Sequence, residues 1–292
     1  MYPIAVTTFY KFSELHLDQL EKIEQEFFSL SEDRAIKGLI ISATEGLNAT
    51  LSGSDSAIRS LKDYVKSIDG FSDTIFKDSR ARKNPFKRFK IKRRDEIVTL
   101  KRPDVVPSDE STNHLSPKEW QQVLDSKEDV VLIDTRNTYE VEVGKFKGAL
   151  DPKTDVFSDF GDFVDSANIQ KEQKVLMYCT GGIRCEKAIY EMQERGYENV
   201  FQLDGGILNY LQEFPNTSFE GECFVFDHRV AVDQELKPSA QYGLCPHCGD
   251  PGKVKAVCPV CDKDCIVCSD CLTKSSGKTC SKNCSYHFTL TL

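Results

Sequence analysis

No stretch of eighteen apolar residues occurs in the 292-residue chain, so nothing in it has the length and hydropathy of a membrane-spanning helix. Nor does Met1 open a secretory apolar region. MYPIAVTTFYKF passes straight into polar residues, and the expectation is a soluble, cytoplasmic protein with no membrane partner. A positive excess is missing too: net charge is −8, so bulk charge does not announce nucleic acid. No flavin, haem or NAD motif is present. Cysteine is scarce before residue 241, where only Cys179, Cys185 and Cys223 occur, but nine more crowd between Cys245 and Cys284. In a cytosolic chain such crowding means metal ligation more often than disulfides.

What is there suffices for two or three domains with real cores. In the first, residues 1–102, residues 4–10 read as a strand and 17–30 as a helix with Leu17, Leu20, Ile23 and Phe27 on one face. Strands at 36–42 and 47–52 flank the turn at Gly46. Ser54 or Asp55 then caps a helix facing inward with Ile58, Leu61, Val65 and Ile68. Further strand is expected at 74–77 and through 89–100. The order β-α-β-β-α-β predicts a ferredoxin-like α+β sandwich, which implies no function.

A basic stripe closes this domain. Residues 80–102 hold eleven Lys/Arg against Asp95 and Glu96, while the rest of the chain carries 27 basic and 44 acidic side chains. So many like charges repel unless something neutralises them. Arg82, Lys83, Lys87, Arg88, Lys90, Lys92, Arg93 and Arg94 are therefore candidate RNA contacts, a membrane surface being the lesser alternative. Phe86 and Phe89 interleave with them and are expected to turn into the core rather than stack on bases.

After a linker at 103–115, Ser116-Pro117-Lys118-Glu119 gives a capping box with proline at the first helical position, opening a domain over 116–215. Strands are expected at 130–134, 174–178 and 199–203, the last running into Asp204-Gly205-Gly206 and a helix ending near Glu213. Their alternation with helices predicts a doubly wound parallel α/β sheet. Between the strand at 174–178 and a helix at 185–194 lies Cys179-Thr180-Gly181-Gly182-Ile183-Arg184, where open α/β sheets bind ligands. The glycines let successive N–H groups of the 180–183 cradle turn inward as an anion nest, and the helix N-terminus and Arg184 add positive potential. Each feature stabilises a thiolate on Cys179. The expectation is an ionised sulfur at the mouth of the domain, on a surface continuous with the basic stripe. A sulfur sealed beneath side chains would contradict it. Cys185 either resolves a persulfide or disulfide on Cys179 or merely packs. Residues 216–240 form an extended connector that pairs with one of the domains, its Asp227-His228-Arg229 trio being structural.

The tail, 241–292, reads as a metal module. Cys245-x2-Cys248, Cys258-x2-Cys261, Cys265-x2-Cys268-x2-Cys271 and Cys280-x3-Cys284 have the spacing that lets paired thiolates grip tetrahedral zinc. Large apolar residues are few, so metal has to supply the core. One or two zinc ions are expected. A crossed arrangement puts Cys245, Cys248, Cys268 and Cys271 on one ion and Cys258, Cys261 or Cys265, Cys280 and Cys284 on the other, with His247 and His287 spare.

The six-residue turn from Cys179 to Arg184 resembles the active loop of the rhodanese family, whose cysteine carries a persulfide. Phosphatases of related fold use a loop one residue longer. The Asp134-Thr135-Arg136 segment, Gly148-Ala149 and residues 203–206 also recur in rhodanese domains at comparable places, and the resemblance implies that Asp134 and Arg136 are supporting residues that tie loops together near the site. Beyond that domain, EGLNATLSG (45–53), DTRNTYEVEVGKFKGA (134–149), MYCTGGIRCEKA (177–188), CFVFDHRVAV (223–232) and the cysteine-rich tail together resemble the rhodanese-domain tRNA uridine hydroxylases. That resemblance implies 5-hydroxylation of the wobble uridine, position 34, with the tRNA anticodon region as partner, molecular oxygen as co-substrate and an electron donor it does not identify. Cys179 would either add to C6 of the uracil or carry a persulfide that handles oxygen or reducing equivalents. The alternative is a sulfurtransferase moving persulfide sulfur from thiosulfate or a protein donor to a thiol acceptor. It shares Cys179 and Arg184, and only the basic stripe separates the two. No motif speaks to oligomeric state.

Overall fold

The structure is a computed structural model that describes residues 2–107, 113–126, 128–274 and 277–290. Its first unit comprises β1 (Ile4–Phe12), α1 (Leu17–Arg34), β2 (Lys37–Ala43), β3 (Gly46–Gly53), α2 (Asp55–Ser67), β4 (Lys77–Ala81) and β5 (Phe89–Arg93). The sheet order is β4-β1-β3-β2-β5: a ferredoxin-like antiparallel sheet, as expected, extended by β5 running parallel to β2. One sheet face, with Phe9, Ile40, Leu47 and Leu51, buries against Leu20, Ile23 and Phe27 of α1 and Ile58, Leu61 and Val65 of α2. Ser54 caps α2, its Oγ accepting the Ala57 N–H at 3.2 Å. Three expectations need correction. Leu17 is exposed, because α1 begins there and its first turn overhangs the sheet. The strand expected at 74–77 begins only at Lys77. The strand expected over 89–100 ends at Arg93, because Ile97 leaves the sheet to pack on Phe12 and Ala43 while Glu96 turns toward the second unit.

The second unit comprises β6 (His114–Leu115), α3 (Pro117–Asp125), β7 (Val130–Asp134), α4 (Thr138–Val141), β8 (Gly144–Phe146), α5 (Phe160–Ser166), β9 (Lys174–Tyr178), α6 (Ile183–Glu194), β10 (Val200–Leu203) and α7 (Gly206–Glu213). Ser116 and Glu119 form the capping box of α3, each accepting the other's N–H. The sheet, ordered β6-β10-β9-β7, is parallel throughout. Its strands bury both faces, as a doubly wound sheet requires. Ile133, Val175 and Met177 pack with Ala188, Ile189 and Met192 on one side, and Leu132, Leu176 and Tyr178 pack with Trp120, Ile207 and Leu211 on the other.

Beyond it, β11 (Phe219–Gly221) pairs antiparallel with β8, and β12 (Cys223–Phe224) pairs with β13 (Ala231–Val232). The tail holds two small hairpins, β14 (Gly243–Leu244) with β15 (Pro251–Gly252) and β16 (Val254–Val257) with β17 (Asp264–Val267), then α8 (Ser269–Leu272) and α9 (Lys282–Thr289). No helix among the described residues is long and apolar enough to cross a membrane.

The ferredoxin-like unit is clamped over the parallel sheet. Lys187 of α6 is wholly buried, with Nζ 2.8 Å from Glu45 Oε2 and 2.9 Å from Glu96 Oε2. Around that triad Phe12, Ala43 and Ile97 pack with Ile183, and Arg102 reaches Glu191 and Glu194.

Candidate active site and metal centres

Strand β9 ends at Tyr178 and α6 starts at Ile183, so the four intervening residues turn the chain over the carboxyl edge of the sheet. Gly182 makes that turn possible, with φ +101°, and its N–H donates to Cys179 Sγ at 3.1 Å. Burial alone pushes the Cys179 thiol up. The Cys185 thiol, the Arg184 charge and the N–H groups of Arg184 and Gly181 outweigh it and bring the sulfur down to about 6. Cys185 is driven the other way, chiefly by burial and then by the Cys179 sulfur, and its Sγ lies 3.5 Å from Thr135 Oγ1. From below, the N–H groups of Ile207 and Leu208 at the start of α7 hold the carbonyls of Cys179 and Thr180 at 3.0 and 3.1 Å. Gly206, at φ +66°, passes so close that a Cβ would stand 2.5 Å from the Cys179 carbonyl oxygen.

Arg184 meets the sulfur through its backbone N–H and not through its side chain. Its guanidinium is bidentate on Glu140, with Nη1 to Oε2 at 2.7 Å and Nη2 to Oε1 at 2.8 Å, so it acts on the sulfur through its field. The sequence reading had not picked out Glu140, although it sits within the DTRNTYE segment. Asp134 and Arg136 form a second buried fork, and Arg136 Nη2 also donates to the Gly144 carbonyl at 2.6 Å.

The expectation of an open sulfur is corrected. Cys179 is 1% exposed. Tyr10 of β1 lies on the loop, its Oη 2.7 Å from where a Gly182 Cβ would stand, and donates to Glu186 Oε1 at 2.8 Å. Lys77 of β4 is buried with Nζ 4.2 Å from the centre of the Tyr10 ring. Burial lowers its pKa to about 8, against the pull of Asp204, Cys179 and Glu186. Glu186 also meets His114 Nε2 at 3.1 Å. The sulfur packs into the core of its own unit with Met177, Cys185 and Ala188, and the ferredoxin-like unit adds a roof over the loop. Tyr10, Lys77 and His114 come from three distant stretches without a motif, and only folding brings them to Glu186, which lies within MYCTGGIRCEKA.

Three family descriptions match in succession: a UPF0176 acylphosphatase-like domain over residues 4–97, a rhodanese-like domain over 116–213 and a rhodanese C-terminal domain over 220–285. A protein of Bdellovibrio bacteriovorus named tRNA uridine(34) hydroxylase is 48% identical over 96% of this chain and 80% of its own length. The chain belongs to the tRNA uridine(34) hydroxylase family. Relatives of that name in Picosynechococcus sp. and Legionella pneumophila are each 43% identical, over 86% and 81% of this chain and 84% and 93% of their own lengths.

In this family member the basic stripe is not one edge. It begins on β4, crosses the end of the sheet through residues 82–88, runs along β5 at the opposite edge and continues past it to Arg94, Lys101 and Arg102. Arg93 pairs with Glu24, and Arg80 with Asp55. Arg82 lies against Tyr2, and Arg94 donates to the Arg93 carbonyl. Lys83, Lys87, Arg88, Lys90 and Lys92 are exposed, and among the described residues none of them has a carboxylate partner. Phe89 turns inward as expected, packing edge-on to Phe28 at 5.5 Å, and Ile91 joins it.

In the tail, Cys245, Cys248, Cys268 and Cys271 form one group and Cys258, Cys261, Cys280 and Cys284 another, with the sulfurs of each within 4.8 Å of one another. Tetrahedral thiolates about 2.3 Å from a metal stand about 3.8 Å apart. Cys248–Cys268, Cys261–Cys280, Cys280–Cys284 and Cys261–Cys284 lie at 3.6, 3.4, 3.7 and 3.8 Å. Both groups can hold a metal ion. Cys265 belongs to neither: its Sγ faces the carbonyls of Ala256 and Lys278.

Proposed function

We propose that this enzyme inserts oxygen at C5 of the wobble uridine, position 34, of tRNA, with Cys179 as the reacting group. One observation supports this over sulfur transfer to small molecules: the acidified thiol lies beneath the ferredoxin-like unit that carries the basic stripe, so reaction is tied to whatever that unit binds. Addition of the Cys179 thiolate to uracil C6 makes C5 nucleophilic. One atom of molecular oxygen is transferred to C5 and the other leaves as water, which takes two electrons and two protons from a reductant outside this chain. Loss of the C5 proton with expulsion of the thiolate restores the pyrimidine. Lys83, Lys87, Arg88, Lys90 and Lys92 contact tRNA phosphates, and the two cysteine groups hold structural zinc. The enzyme works in the cytoplasm, where its tRNA is. The roof over Cys179 has to lift for a base to reach the sulfur.

The test is genetic. Cells lacking their own enzyme are complemented with wild-type protein or Cys179→Ser, and tRNA nucleosides are read by mass spectrometry. The wild type restores 5-hydroxyuridine derivatives and the serine variant yields none. Full modification by Cys179→Ser would overturn the assignment. Thiosulfate turnover by the wild type with unaltered nucleosides would establish the sulfurtransferase instead.

A further inference from the structure

Phe226 is 58% exposed although Phe224, Val225 and Asp227 around it are buried. A lone exposed phenylalanine is ordinary on a protein surface. This one is held out by a turn built at some cost. The Val225 N–H donates to the Val230 carbonyl and the Val230 N–H to the Asp227 carbonyl, both at 2.9 Å. Arg229 clasps Asp227 through Nε and Nη2, at 2.9 and 2.6 Å. Val230 sits at φ +65°, a conformation a β-branched residue adopts only when its surroundings impose it.

The position of the turn matters as much as its rigidity. On one side the guanidinium of Arg184, the last residue of the active loop, lies 5.7 Å from the centre of the Phe226 ring. On the other, the His228 N–H donates to the Pro85 carbonyl at 3.0 Å and Arg229 Nη1 to Ser79 Oγ at 2.7 Å. Pro85 lies in the basic stripe between Lys83 and Lys87, both exposed. An exposed aromatic ring thus stands between unpaired ammonium groups and the catalytic loop. Cations that take up a phosphate backbone, beside a flat apolar face, are the combination that recognises a single-stranded nucleic acid. Resting on the reading of the enzyme as a tRNA hydroxylase, we propose that Phe226 is the platform on which an unpaired base of the anticodon loop stacks as the target uridine is delivered to Cys179.

Full-length protein tests this by equilibrium binding to an anticodon stem-loop with uridine at the wobble position, against a blunt duplex of the same length. Phe226→Ala should weaken stem-loop binding by roughly tenfold or more, the usual loss of one stacked base, and leave duplex binding unchanged. Phe226→Tyr should restore the affinity, which a merely structural loss would not show. Phe226→Trp adds a reporter to a chain whose single tryptophan, Trp120, is fully buried. Its fluorescence should be quenched by the stem-loop and not by the duplex, and this readout decides the matter if the alanine variant fails to fold. Stem-loop affinity of Phe226→Ala within about twofold of wild type, or equal quenching by both RNAs, overturns the proposal. The nucleoside assay of the wild type keeps the two readings apart: normal hydroxylation with no role for Phe226 sinks only the platform, while stacking without hydroxylation sinks only the activity.

Discussion

At the scale of single residues, two groups titrate near neutrality on opposite sides of one loop. Cys179 loses its proton near 6 because Cys185, Arg184 and two backbone N–H groups outweigh its burial, and Lys77 loses its own near 8 because burial disfavours its charge. As pH rises through about 6 the thiolate forms and the rate should climb. As it passes about 8 the ammonium above the loop is lost and the rate should fall. A bell with limbs near 6 and 8 is the expected pH profile of single-turnover hydroxylation. Lys77→Met should remove the alkaline limb and, with one positive neighbour fewer, move the acid limb upward. An acid limb that stays in place in Lys77→Met would mean that the ammonium does not act on the sulfur. Cys179, its cradle and Arg184 were legible in the sequence because they are contiguous and their geometry follows from one strand-to-helix turn. Glu140, Tyr10 and Lys77 were not. Each is an ordinary side chain whose role arises only where distant elements meet.

At the scale of elements, the tail shows what spacing does and does not determine. The two cysteine knuckles are local: each turns through a residue of positive φ, Gly249 at +92° and Asp262 at +55°, directly after the second cysteine. Spacing therefore marked both pairs and supported the crossed arrangement. It left Cys261 and Cys265 competing for one place, because that choice depends on the register of the β16–β17 hairpin. The hairpin sets Cys265 opposite Ala256 and away from both groups. Two zinc ions per chain are the expected stoichiometry, measured by elemental analysis of purified protein. Cys265→Ser should leave that number unchanged, whereas Cys268→Ser should reduce it to one. Chelation should open the segment beyond residue 240 to proteolysis, since its few apolar residues cannot hold it folded. Loss of metal in Cys265→Ser comparable to that in Cys268→Ser would refute the grouping.

At the scale of the molecule, the ferredoxin-like unit does more than carry charge: it closes over the loop from Cys179 to Arg184. Its two-layer fold was readable from hydrophobic periodicity, but its docking was not. The Glu45–Lys187–Glu96 triad consists of three charged side chains that in sequence resemble any solvated surface, and only their joint burial makes them a clasp. Phe12, Ala43, Ile97 and Ile183 complete that interface, so lifting the roof exposes an apolar seam together with the triad. Lys187→Met removes the cation that bridges two buried carboxylates. Breaking a buried pair in this way costs about 3–5 kcal/mol, which should appear as a lower melting temperature. Because the interface covers the loop that carries Cys179, the same substitution should speed alkylation of that sulfur by iodoacetamide, followed by peptide mass spectrometry. In the wild type, alkylation should be slow until tRNA is added and then accelerate, if RNA binding is what opens the roof. The Arg184 charge and the neighbouring donors already lower the pKa of this thiol in the closed form. Faster alkylation at constant pH therefore reports access rather than ionisation, and a rate indifferent both to tRNA and to Lys187→Met would place the route to the sulfur elsewhere.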